Sequence, residues 1–168
     1  MRDSMNYIID GHNLIAKIEG LSLSMPDDEQ RLIELLNRFG ELRRHKLEVY
    51  FDGAPVGQAG MRNYGRVRAY FVIASQTADD AIRRRMLKMG RSGREAKNWV
   101  LVSSDRSVQM AGHAAHAQVM SSEDFASQLQ TSLLQSKAGK PEKRDDQPMS
   151  EAELKEWLTI FSRRSKKE

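Results

Sequence analysis

Three short apolar runs in this chain stop in the same way. Tyr7-Ile8-Ile9 stops at Asp10-Gly11, Val49-Tyr50-Phe51 at Asp52-Gly53, and Trp99 to Val102 at Ser103-Ser104-Asp105. Runs this short and continuously apolar suit strands buried on both faces, as in parallel sheets. Between them the period changes to that of a helix. Leu32, Leu35, Leu36, Phe39 and Leu42 form one stripe after the start signals Pro26, Asp27 and Asp28. Ala78, Ile82, Met86 and Met89 form another, with Gly90 in the place of a C-terminal cap. Arg66 to Ile73 reads as a further strand, whose half-polar start suits a position near an edge. A short helix through Met110, a small strand Gln118-Val119-Met120 and a helix from Ser121 to about Leu134 follow. The alternation predicts a three-layer α/β/α fold around a central, mostly parallel sheet.

A chain of 168 residues holds one such domain and an appendage. The expected division is an α/β domain over 1–135, a flexible linker over 136–149 rich in Lys, Gly, Pro, Glu and Asp, and a basic amphipathic helix over 150–168. In that last helix Ser150 and Glu153 make a capping box, and Leu154, Trp157, Leu158 and Phe161 share a face. The absence of cysteine excludes disulfides, thiolate metal sites and a thiol nucleophile, so any metal is held by oxygen or imidazole. No apolar run is long enough to span a membrane and no signal-peptide core is present, so a cytoplasmic protein is expected.

Ligands of open parallel sheets bind outside the carboxyl ends of the strands, where strand order reverses. Asp10, Asp52 and Asp105 stand at such ends, and Asp79 and Asp80 open the helix after a fourth strand. So many carboxylates on one rim repel one another unless a cation sits among them, and hard oxygen ligands select Mg2+ or Mn2+. Such a site polarises a phosphoryl oxygen and activates water, as phosphodiester hydrolysis requires. Each acid also has a plainer reading. Asp80 fits a capping box with Thr77, Asp105 a helix cap, and Asp79 an ion pair with Arg83. Asp52 before Gly53 fits a turn, and Asp10 fits a turn cap but ends an unusually apolar strand.

Four segments together carry a resemblance. Asp10-Gly11-His12-Asn13-Leu14-Ile15, Val49-Tyr50-Phe51-Asp52-Gly53, Gln76-Thr77-Ala78-Asp79-Asp80-Ala81-Ile82, and Val102-Ser103-Ser104-Asp105-Arg106 with Gln109, each at its expected strand or helix end, resemble the YacP-like NYN-domain ribonucleases within the wider PIN-like nucleases. The resemblance covers roughly residues 5–135. It implies a PIN-like fold, an endoribonuclease dependent on Mg2+ or Mn2+, and metal-binding catalytic acids at Asp10, Asp79 and Asp105. Asn13 would orient the site from the first helix, although an Asn there also suits an N-cap. Ser103 and Ser104 would support it, as would Asp52 and Asp80. The chain departs from the family where His12 replaces the usual Tyr and Gln76 the usual Glu, the second leaving the site less charged. His12 fits packing or RNA contact, and His113 and His116 read as surface or packing residues.

Between Gly53 and Arg94 the acids are Asp79 and Asp80, against nine arginines and lysines including Arg62, Arg66, Arg83 and Arg84. With Arg106 these five would line an RNA path, for phosphates approaching a metal need cations beside it. Asn63, Tyr64 and Gly65 read as a loop offering a ring for a base, which favours single-stranded or loop RNA. The leading function is therefore a metal-dependent endoribonuclease. The alternative is a non-catalytic RNA- or ribosome-binding module of the same fold. A small-molecule phosphohydrolase or nucleotide-binding protein is weaker, because the chain has no G-x-G-x-x-G or Walker loop.

Overall fold

The structure, a computed structural model, describes residues 4–92, 95–139 and 155. Among these residues the strands β1 (Asn6–Asp10), β2 (Lys46–Ala54), β3 (Gly60–Tyr64), β4 (Val67–Ile73), β5 (Trp99–Val102) and β6 (Gln118–Met120) form one sheet. Its order is β3-β4-β2-β1-β5-β6, parallel throughout except for the antiparallel β3–β4 hairpin. The helices are α1 (Gly11–Ile15), α2 (Asp28–Arg43), α3 (Ala78–Ser92), α4 (Arg106–Ala114) and α5 (Ser122–Gly139).

Strand alternation divides the core in two. Tyr7, Ile9, Val49, Phe51, Val100 and Val102 pack with α1, α2 and α5 on one face. Ile8, Tyr50 and Leu101 pack with α3 and α4 on the other. Both faces are covered, which is why the central strands carry almost no polar residue. β1 is the centre of the sheet. From it the sheet extends through β2 and β4 to β3 on one side, and after β4 the chain crosses back to place β5 and β6 on the other. Strand order therefore reverses at β1, and the crevice for a ligand opens at the carboxyl ends of β1 and β5.

Four elements differ from the sequence reading. β3 takes up the Asn63-Tyr64 stretch read as loop; nearly all its residues are exposed, so no apolar alternation marks it. β2 continues beyond Asp52 to Ala54 through a bulge, because Phe51 to Ala54 is paired with Phe71 to Ile73. Gly53 supplies the left-handed φ of +81° that this bulge requires. α3 runs past Gly90 to Ser92, so that glycine is not its cap. α5 reaches Gly139, which makes the first residues of the expected linker helical. The rest of that linker, the amphipathic segment built on Leu154, Trp157, Leu158 and Phe161, and Arg94 lie outside the described residues. Among the described residues no helix is long and apolar enough to cross a membrane.

Candidate active site

Asp10 occupies the N-cap position of α1, but its carboxylate makes no capping bond, so the turn-cap reading fails. The helix starts hard against β2: a Cβ on Gly11 would lie 2.5 Å from the Phe51 ring and 2.7 Å from the Tyr50 carbonyl. Only glycine permits that approach. Asp10 is 6% exposed and its Oδ2 accepts a hydrogen bond of 3.2 Å from Ser103 Oγ. The same Oγ accepts the Asp105 backbone N–H at 3.1 Å, so one buried hydroxyl joins the ends of β1 and β5. Burial first, then the charge of Asp79, push the Asp10 pKa up to about 6; Asp52 and Asp105 add to this and the Ser103 bond opposes it.

Asp79 and Asp105 share that field. The Asp79 carboxylate, half-buried, accepts no hydrogen bond among the described residues. Desolvation and then Asp105 raise its pKa, while Arg83 opposes them. Asp105 caps α4 as its plainer reading holds: Oδ1 accepts from Ser107 N (2.8 Å), Ser107 Oγ (2.7 Å) and Val108 N (3.2 Å). All three bonds end on one oxygen. They hold the Asp105 pKa below the usual carboxylate range, the Ser107 hydroxyl foremost.

The ion pair expected of Asp79 belongs to its neighbour. Arg83 Nη2 meets Asp80 Oδ1 at 2.6 Å, and the Asp80 amide donates to Thr77 Oγ1 at 3.1 Å. Asp80 is thus tied into the start of α3, its carboxyl held low by Arg83 first and Thr77 second. The other arm of Arg83 donates to Ser107 Oγ at 3.1 Å, which lays its guanidinium from α3 to α4 beside Asp79 and Asp105.

His12 and Asp52 form a clamp that no local pattern announces. His12 Nδ1 lies 2.9 Å from Asp52 Oδ1, and Nε2 lies 2.7 Å from Glu29 Oε2. The ring also packs on Phe51. The other Asp52 oxygen accepts the Ala78 amide, at 3.4 Å, so Asp52 is tied to the first residue of the helix that carries Asp79. Glu29 chiefly, against the opposing effect of burial and with help from Asp52, raises the His12 pKa from 6.5 to about 9. Its contribution to stability is complete below pH 6.5, where both folded and unfolded chains bind the proton, and is lost as pH rises through about 9. The melting temperature should therefore fall between those pH values, and more steeply than that of a His12→Asn variant. Parallel profiles for the two proteins would rule out the clamp.

Asn13 lies inside α1 rather than at its N-cap. Its Oδ1 accepts the Ser104 backbone N–H at 2.9 Å and the Ser122 hydroxyl at 2.6 Å, tying α1 to the loop after β5 and to the start of α5. Ser104 turns away from the acids: its hydroxyl donates to Glu123 and accepts the Ser122 amide. Glu123, paired with Lys17 at 3.2 Å, and Glu29 are the two acids of this region that sequence reasoning missed. Each sits in the first turn of a helix, where an acid looks like a dipole partner.

The arginines separate. Arg83 reaches the rim, and Arg84 is exposed with Nη2 3.3 Å from Gln76 Oε1. Gln76 thus faces Arg84 rather than the acids. Arg106 is exposed at the start of α4. Arg62 lies over the Phe71 ring at 4.7 Å. Arg66 precedes β4 and its carbonyl accepts from Leu47 N near the start of β2, at the end of the sheet opposite Asp10. The seven residues of β4 put roughly 20 Å between that end and the rim, so Arg66 is not beside the acids. His113 and His116 are both exposed.

An all-oxygen set whose members raise one another's pKa suits a hard divalent cation, which would relieve the repulsion felt by Asp10 and Asp79. As they stand, no group of three His, Asp or Glu side chains among the described residues is close enough to hold an ion. The donor chemistry fits, and binding would have to draw the carboxylates inward.

A family model for the YacP-like NYN domain matches residues 7–163. The fold is similar to the crystal structure of Rae1 (YacP) from Bacillus subtilis, at 19% identity and a TM-score of 0.64, covering 82% of this chain and 79% of that one. It is also similar to a tryptophan-to-leucine mutant of the same Bacillus subtilis protein, at 18% identity and a TM-score of 0.59, covering 96% of each chain. At these identities the likeness is one of fold. No curated protein sequence matches.

Proposed function

The chain belongs to the YacP-like NYN domain family, nuclease-type proteins with RNA as substrate or partner, and on that premise we propose that it is a metal-dependent endoribonuclease. The observation that carries the reading is Asp10: a buried carboxylate at the strand-order reversal, its pKa lifted to about 6 by burial and by Asp79, Asp52 and Asp105. Asp10, Asp79 and Asp105 would hold Mg2+ or Mn2+, with the unbonded Oδ2 of Asp105 turned to that use. Such an ion supplies charge neutralisation at the scissile phosphate and lowers the pKa of a bound water.

The chain's own groups do the rest. Arg83, braced between Asp80 and Ser107, offers a cation where negative charge builds up on the phosphoryl oxygens. Arg84 and Arg106, both exposed, would hold flanking phosphates of a single-stranded or looped substrate. Ser103 fixes the spacing of Asp10 and Asp105, and Asn13 fixes the loop that carries Ser104. Attack by water in line with the 3′-oxygen would leave a 5′-phosphate. One observation favours the second reading, a binding module without catalysis: the acids do not stand close enough to cage an ion.

Incubation with end-labelled single-stranded RNA separates the two. The nuclease reading expects cleavage with Mn2+ or Mg2+, none with EDTA, and 5′-phosphate ends. RNA retained but uncut with every divalent ion would make the protein a binding module.

A further inference from the structure

The sheet outreaches its helices on one side. α2 packs on β2 and β4, and the edge strand β3 projects past it, leaving a cleft of about 340 Å³ between the first turn of α2 and the hairpin. The cleft begins at Asp52 and therefore adjoins the acidic rim. Phe71 and Arg62 line the cleft as a column of flat groups: the Arg62 guanidinium covers the Phe71 ring at 4.7 Å, and the buried Phe51 stacks behind Phe71 with centroids 5.5 Å apart at 26°. A bond of 3.0 Å from Nη2 to the Gln58 carbonyl anchors that guanidinium. The wall at the start of α2 presents the carboxyl groups of Asp27 and Glu29 with Gln30, Pro26 and Ile33, and Asp52 adds a further carboxyl from β2.

We propose that this cleft is a nucleobase subsite, taking one amino-bearing base of an RNA strand next to the bond that is cut. Three features select that occupant. The volume is at the lower end for ligand pockets, enough for one base. The column ends in a planar guanidinium, a surface on which bases stack. The carboxylate wall repels a phosphate but accepts an exocyclic amino group. His12 engages Oε2 of Glu29 and Oδ1 of Asp52, which leaves Oε1 of Glu29 as an acceptor for an N–H donor. Adenine, cytosine and guanine present such an amino group, and the first two are the ones tested. Uracil has no amino group, and its one N3–H stands between two carbonyl oxygens that the carboxylates repel, so it is disfavoured.

The inference rests on RNA being the substrate, and its test avoids catalysis. Binding of fluorescein-labelled oligo-A, oligo-C and oligo-U is measured by anisotropy in EDTA. The subsite expects oligo-A and oligo-C to bind about tenfold more tightly than oligo-U. Arg62→Lys keeps the charge and loses the plane, and should cost oligo-A and oligo-C about tenfold. Glu29→Gln should narrow the gap between oligo-A and oligo-U. Arg62 is exposed, so circular dichroism should be unchanged. Equal affinity for the three strands, or oligo-A and oligo-C affinities untouched by Arg62→Lys, would overturn the subsite. Cleavage with Mn2+ is followed separately. Cleavage with equal binding defeats the subsite and keeps the nuclease; selective binding without cleavage does the reverse.

Discussion

On the proposed nuclease reading, replacing Asp79 by Asn should lower RNA cleavage by at least about a hundredfold, the scale set by removing one charged group from a site that stabilises developing charge. The fold survives, because the Asp79 carboxylate accepts no hydrogen bond among the described residues and burial opposes its charge. A second consequence follows from the shared field. Asp79 is the leading charge that raises Asp10, so its removal brings the Asp10 pKa down from about 6 toward 3.8. A carboxyl raised in the folded state destabilises the metal-free protein above that pKa, where the unfolded chain carries the charge at less cost. The variant should therefore melt slightly higher than wild type in EDTA at neutral pH, while cleaving far more slowly with metal. Asp80→Asn supplies the contrast. It breaks an exposed ion pair with Arg83, which contributes little to stability, and cleavage should stay within severalfold of wild type. If Asp80→Asn abolished cleavage and Asp79→Asn did not, the division between ligand and helix start would be reversed.

The largest loss of stability is expected from Glu48→Ala. Glu48 is buried in β2 and takes Arg85 in a two-point pairing, Nε to Oε1 at 3.2 Å and Nη2 to Oε2 at 3.0 Å, with the Tyr50 hydroxyl on the same carboxylate. Arg85 also lies over the Trp99 ring at 5.3 Å. Removing the carboxylate leaves the Arg85 guanidinium without its anion, on a side chain that is 27% exposed. Partial exposure puts the cost at the lower end of the range for a broken buried pair, about 3 kcal/mol. For a chain of this size that is a drop in Tm of roughly 10 °C, at ~2–4 °C per kcal/mol. The double change Glu48→Leu with Arg85→Leu should recover much of it, since an apolar pair removes both charges together. A Glu48→Ala protein melting within a degree of wild type would show that the pair contributes nothing.

Arg83, Arg84 and Arg85 show where sequence stopped and structure took over. A run of three arginines on a helix must fan around it, and that much follows from 3.6 residues per turn. Which one meets the acids, which meets solvent and which enters a buried ion pair depends on Glu48 and Ser107, 37 and 24 residues away. His12 reads locally as an aromatic substitute, yet its role is decided by Glu29 and Asp52. Asn13 reads as either a site-orienting residue or a cap, and which partners it takes, Ser104 and Ser122, 91 and 109 residues on, shows only in the fold. Arg66 and Arg84 read as one basic strip, yet β4 carries them to opposite ends of the sheet.

The order of strands and helices was legible because burial on both faces of a sheet demands short apolar runs, and burial of one helix face demands a 3.6-residue stripe. Asp10 and Asp105 were legible at the carboxyl end of the sheet because they close apolar strand runs, and Asp79 because it opens the helix after one, whereas Asp52 lies within β2, which continues to Ala54. Strand β3 was not legible, because an exposed edge strand has no core to impose alternation. The partners of each site residue were not legible either. A hydrogen bond between distant residues leaves no trace in local periodicity, and it exists only once the reversal of strand order has set the ends of β1 and β5 side by side.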